Sequence, residues 1–111
     1  PVEAMKHFGT RIKKLHQKDL VKDSKNPVNM FDIVGKDTII DQKLWVGTKC
    51  NDDFTEIGYG CMDIQSIIDT ANKIGSMDYI ILEQDATKLN QLDSVKRSME
   101  GFHKFGGIVW E

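Results

Sequence analysis

Apolar residues recur along this chain in two rhythms. Between Asp63 and Gly75, the residues Ile64, Ile67, Ile68, Ala71 and Ile74 fall three and four apart, the spacing of one helix face. Asp63 stands where a helix N-cap belongs, and Gly75 closes the pattern. A second stripe, Leu92, Val95, Met99 and Phe102, predicts a helix from Leu92 to Phe102. Its solvent face would carry Asp93, Lys96, Arg97 and Glu100. Pro1 to Phe8 reads as a first helix, because proline suits a first turn and Gly9 can serve as a left-handed cap. The other rhythm is that of strands. Ile12–Gln17 and Tyr79–Leu82 are short runs with branched aliphatics, each closed by polar residues. Both are expected to be buried on two faces.

Strand, helix, strand in that order predicts parallel neighbours in one sheet. Ligands of such sheets sit at the carboxyl ends of the strands. His16 and Glu83 both fall at those ends. Two strands cannot cover each other on both faces. The missing strands are therefore expected from a longer parent protein, with the long middle segment as the alternative source. The opening Pro1-Val2-Glu3-Ala4, inside a helix and without an initiator Met, also suggests a piece of a longer chain. Leu20 to Met62 is longer than ordinary connections, and it holds Ile33, Val34, Ile39, Ile40, Leu44, Trp45 and Val46. Those residues predict a lid or short helical turns rather than a linker. Residues 1–111 read as a single segment, with residues 20–62 as an insertion after the first strand.

Composition narrows the function classes. A net charge of -2 gives no broad basic surface for nucleic acid. Arg11, Lys13, Lys14 and Lys18 cluster, but they alternate with apolar residues along a strand. No apolar stretch approaches the roughly 20 residues needed to span a bilayer, and no secretory signal opens the chain. A cytoplasmic protein with neither a nucleic-acid nor a membrane partner is the expectation. Cys50 and Cys61 have a spacing that fits no zinc motif. They read as reduced thiols, with a disulfide as the alternative.

Few residues carry candidate chemistry. His16 can ligate a metal from a strand end, or be a hydrogen-bonded histidine at a sheet edge. Asp19 is a candidate to orient the His16 ring, or else a helix or turn cap. Glu83 ends an apolar strand, where an ionised carboxylate needs a metal, a cation or a proton. A metal or a proton would suit catalysis, whereas a salt bridge would be structural. An imidazole and a carboxylate together suit manganese, iron, zinc or cobalt. Glu56-Ile57-Gly58-Tyr59-Gly60 lacks the full dinucleotide fingerprint and reads as a tight turn. Asp52-Asp53 reads as a solvated acidic loop, and His7 and His103 as surface residues.

Three segments carry a resemblance. Gly9-Thr10-Arg11-Ile12-Lys13-Lys14-Leu15-His16-Gln17-Lys18-Asp19 resembles a G-x-R-I-x-x-x-H-x-K-D segment of the sugar phosphate isomerase/epimerase family, the xylose-isomerase-like TIM barrels. Glu56-Ile57-Gly58-Tyr59-Gly60 with Met62-Asp63-Ile64 resembles that family's approach to its last crossover helix, and Tyr79–Glu83 resembles its final strand. The resemblance implies an α/β fold: the C-terminal part of a (β/α)8 barrel, with about the last two parallel strands and their helices. It implies a metal-dependent sugar isomerase or epimerase, with proton abstraction beside a sugar carbonyl and a divalent metal stabilising the enediolate. His16 and Glu83 would be metal ligands, Glu83 also the acid/base group, and Lys18 a substrate contact. Manganese leads as the metal, with zinc, cobalt, iron or magnesium as alternatives. The remaining ligands would lie upstream, so the isolated chain is expected to be inactive. The partners implied are a sugar or sugar derivative, the rest of the barrel, and a second subunit or a homo-oligomer. In the DNA-repair endonuclease branch a histidine stands where Phe54 stands here, which argues against that branch. The long insertion is similar to that of the catalytic subunit of C-glycoside deglycosidases, lyases of the same barrel family. A non-catalytic half-barrel binding module is a further alternative.

Overall fold

The computed structural model describes residues 1–22, 34–39, 41 and 53–110. It is a mixed α/β structure. Helix α1 is Val2–Phe8, followed by a 3-10 turn at Gly9–Arg11 and strand β1 at Lys14–Gln17. The short strands β2, Asp19–Leu20, and β3, Phe54–Thr55, come next. Helix α2 is Ile64–Ile74, strand β4 is Tyr79–Leu82, and helix α3 is Gln91–Phe102. Among the described residues, no helix is long and apolar enough to cross a membrane.

The parallel pairing expected of the two longer strands is present. Lys14 faces Tyr79, and Gln17 faces Leu82. Flanking bonds extend the ladder: Asp78 N–H donates to Lys13 O at 2.9 Å, and Glu83 N–H donates to Gln17 O at 3.0 Å. Strand β1 begins at Lys14 rather than Ile12, because Ile12 caps the 3-10 turn. Gly9 adopts a positive φ of 54°, but its ψ of -132° leads into that turn and not into the left-handed helical cap that was expected. The φ value still favours glycine.

Helix α2 has the expected bounds and face. Asp63 accepts from Ser66 N–H at 3.1 Å and from Ser66 Oγ at 2.6 Å. Ile64, Ile67 and Ile68 are buried, and Gly75 ends the helix at φ 70°, ψ 21°. Ile57, Ile64, Ile68 and Phe102 form the core, with Ile80 and Leu82 packed against it from the sheet.

Three expectations are corrected. The strands are covered on one face only, since the period of two sends Ile80 and Leu82 to the core and leaves Tyr79 61% and Ile81 38% exposed. Helix α3 packs through Ser94, Ser98, Gly101 and Phe102, while Leu92, Val95 and Met99 stay exposed. The reason is a close backbone approach. A Cβ at Gly101 would collide with the Ile57 carbonyl, and Ser98 Oγ accepts from Ile57 N–H at 3.2 Å. Small polar residues thus let the 57–58 backbone sit against the helix, where an apolar stripe would hold it off. The segment from Leu20 to Met62, expected as a lid or short helical turns, supplies a short strand. Phe54–Thr55 pairs antiparallel with Asp19–Leu20 in a second small sheet. Most of the segment expected to form a lid, and Cys50, lie outside the described residues; Cys61 is a free, exposed thiol.

Candidate functional site

Parallel pairing places the ends of β1 and β4 side by side. The bond from Glu83 N–H to Gln17 O anchors the Glu83 backbone one residue beyond β4. His16 lies on the uncovered face of the sheet, in register with Ile81. Its Nδ1 meets Glu83 Oε2 at 2.6 Å, a charge-assisted hydrogen bond in which the ring donates. The His16 side chain is 60% exposed and that of Glu83 35%, so a small molecule can reach both.

Lys18 completes the cluster. Its ammonium lies 3.3 Å from Glu83 Oε1 and forms a short ion pair with Asp85 Oδ2. It also lies 5.7 Å from the centre of the Phe54 ring. Burial alone would lower the Lys18 pKa. The hydrogen bonds and charges of Asp85 and Glu83 outweigh it and raise the pKa above the ordinary lysine value. Lys18 therefore keeps its charge through neutral pH and gives it up only in strong alkali. Glu83 therefore has a ring N–H on one oxygen and an ammonium on the other. Gln84, between the two acids, keeps a buried Oε1 with no hydrogen-bond partner among the described residues.

Asp19 is turned elsewhere. It is 1% exposed and accepts from four backbone amides: Leu20 at 2.9 Å, Gly58 and Gly60 at 3.0 Å, and Met62 at 3.1 Å. Its partners are main-chain amides, one from Leu20 and three from the 58–62 turn, in place of the His16 ring it was expected to orient. The alternation of side chains along an extended segment accounts for the difference. His16 and Lys18 reach the cluster, and Asp19, one residue on, turns into the fold.

Two residues escaped the sequence reading. Asp85 belongs to the cluster because it stands two residues after Glu83, just as Lys18 stands two after His16. That paired i, i+2 spacing was the available signal. Glu56 is a buried carboxylate that accepts from Thr87 Oγ1 at 2.6 Å and Ser94 Oγ at 2.9 Å. Burial would raise its pKa. The hydrogen bonds from Thr87, Ser94 and its own backbone, with the charge of Arg97, outweigh burial and lower it. Glu56 ties the 53–62 turn to α3, and no local pattern marks it.

The cluster offers an imidazole, two carboxylates and an ammonium at one open end of a parallel sheet. Such a set can transfer a proton, hold an anion through Lys18, or hold a cation through His16 and Glu83. Among the described residues, no group of three or more His, Cys, Asp or Glu is arranged to hold a metal ion by itself. No protein-family model, curated protein or solved structure matches the chain.

Proposed function

We propose that the chain supplies the catalytic corner of a metal-dependent sugar isomerase or epimerase of the α/β-barrel kind. The observation that carries this reading is the 2.6 Å contact between His16 and Glu83 at adjacent carboxyl ends of parallel strands. The uncovered apolar residues Tyr79 and Ile81 support further strands beside these two. In this reading Glu83 takes a proton from the carbon beside a sugar carbonyl, and His16 fixes the direction of its carboxylate. Lys18 sets its ammonium beside Glu83 Oε1, with Asp85 as its counter-charge.

The residues present fit a divalent metal in donor type. His16 offers a nitrogen donor and Glu83 an oxygen donor, within hydrogen-bond reach of each other. His16 and Glu83 would hold it, with manganese foremost and zinc, cobalt, iron or magnesium as alternatives. When bound, it would polarise the sugar oxygens and stabilise the enediolate. Two donors are too few for a tight site, so further ligands would come from the strands completing the sheet. The chain by itself should therefore bind metal weakly and turn over no sugar.

Calorimetric titration of the chain with Mn2+ tests this reading. Weak binding that falls at least about tenfold in Glu83→Gln and in His16→Ala is expected. Equal binding by all three proteins would overturn it. A non-catalytic binding module is the second reading, favoured by one observation: each cluster carboxylate already has a cationic or N–H partner. It predicts no Mn2+ binding at all.

A further inference from the structure

The loop from β4 to α3 carries two groups of the cluster, Glu83 and Asp85, and side chains hold it in place. Among the described residues, the main chain of Gln84, Asp85, Ala86 and Thr87 makes no hydrogen bond to other main chain. Side-chain ties stand on either side of Asp85 instead. Gln84 Nε2 donates to Ala86 O at 2.7 Å and closes the loop around it. Thr87 Oγ1 donates to Glu56 Oε1 at 2.6 Å and accepts from Leu89 N–H at 3.0 Å. The Thr87 hydroxyl thus both donates and accepts, and its branched Cβ leaves the side chain few other rotamers. The Gln84 tie stays within the loop, whereas the Thr87 tie fastens the loop to a distant part of the chain.

Glu56 is a firm anchor for that tie. It is buried, and its carbonyl accepts from Tyr59 N–H at 3.1 Å. Beside it, Ile57 N–H donates to Ser98 Oγ at 3.2 Å. The same segment places the Phe54 ring 5.7 Å from the Lys18 ammonium. Residues 54–56 therefore reach both partners of one ion pair, Lys18 through Phe54 and Asp85 through Thr87. We propose that Thr87 is a positioning residue of the cluster: anchored on Glu56, it holds Asp85 against Lys18. A charged group on an irregular loop needs such support, because a displacement of about 1 Å is enough to spoil a working site. With Asp85 in place, the ammonium is shared between Asp85 and Glu83 Oε1, 3.3 Å away. With Asp85 released, it is free to close on Glu83 or to swing into water. This role rests on the proposed function in one respect, that the cluster is a working site.

Thr87→Val keeps the shape of the side chain and removes its hydroxyl. The readout is the Lys18 ammonium signal in a proton–nitrogen NMR spectrum, which follows what the ammonium touches. Thr87→Val is expected to move that signal by at least about half of the displacement produced by Asp85→Asn. Thr87→Ala is a second removal with the same expected result, and Thr87→Ser, which keeps the hydroxyl, should hold the signal in place. In an Asp85→Asn background, Thr87→Val should move it no further, because Thr87 acts through Asp85. Ser94→Ala removes the other hydroxyl on Glu56 Oε1, on the helix side, and should lower stability while leaving Lys18 still. A Lys18 signal unmoved by Thr87→Val, or moved as far by Ser94→Ala, or moved equally in the Asp85→Asn background, would overturn the proposal. Calorimetry with Mn2+ on the same proteins separates the two ideas. A Lys18 shift in Thr87→Val without Mn2+ binding by the unaltered chain would overturn the metal-dependent function and keep the positioning role. Mn2+ binding with Lys18 unmoved would overturn the positioning role alone.

Discussion

Two carboxylates of this fold, Asp19 and Glu83, are held in opposite ways. Asp19 is buried, and its partners are four main-chain amides. Glu83 is half-buried, and its partners are two side chains, His16 and Lys18. A carboxylate bound by main-chain amides cannot change partners without dismantling the turn that supplies them. One bound by side chains at an open strand end can exchange a proton or a ligand while the backbone stays in place. The first arrangement stabilises the fold, and the second is available for chemistry.

Substitutions should separate the two regions. Asp19→Ala leaves four inward amides without an acceptor, and a loss of about 3 kcal/mol or more is expected in urea unfolding. A loss below about 1 kcal/mol would place those amides in contact with water instead. Gly101→Ala forces a Cβ against the Ile57 carbonyl, and should cost about 3 kcal/mol by the same measurement.

Glu56 gives a pH signature. Its folded pKa is depressed, so its contribution is present above the unfolded value and is lost as pH falls through the folded value. The urea midpoint should therefore drop on acidification below the ordinary value of 4.5. Glu56→Gln should flatten that part of the profile and cost about 1–2 kcal/mol at neutral pH. A profile unchanged by the substitution would remove Glu56 from the turn's support.

The smallest effects on stability belong to the open cluster. Glu83→Gln and Lys18→Met should each change unfolding free energy by less than about 1 kcal/mol, because these ion pairs are partly exposed. Their ligand effects should be of opposite sign. Glu83→Gln weakens divalent cation binding, whereas Lys18→Met removes a nearby positive charge and tightens it. Matching changes in both variants, read by calorimetry, would break the contrast between the two regions.

The parts of the fold legible in the sequence were those with strong periodicity. Helix α2 has a single apolar face and strand β4 is a short apolar run, both with clear end signals, and their order dictated the parallel pairing. The meeting of His16 and Glu83 followed from that pairing. The packing of α3 did not, because its buried face is built from Ser94, Ser98 and Gly101. Small polar residues leave no hydrophobic signal, and their role depends on a backbone 41 residues away in sequence. Strand β3 is a pairing of two residues, too short for any pattern. Of the two roles open to Asp19, the structure has the cap on turn amides and not the partner of His16, because the alternation along the strand sends it inward.

In the proposed function, His16 and Glu83 act together as a metal-binding, proton-transferring pair. The chain has three histidines, so His7 and His103 serve as internal controls. Zn2+ titration followed in a long-range proton–nitrogen spectrum of the imidazole rings reads all of them at once. The His16 ring nitrogens should shift alone, and the shift should vanish in Glu83→Gln. Equal shifts at His7 and His103, or a His16 shift that survives Glu83→Gln, would contradict the claim.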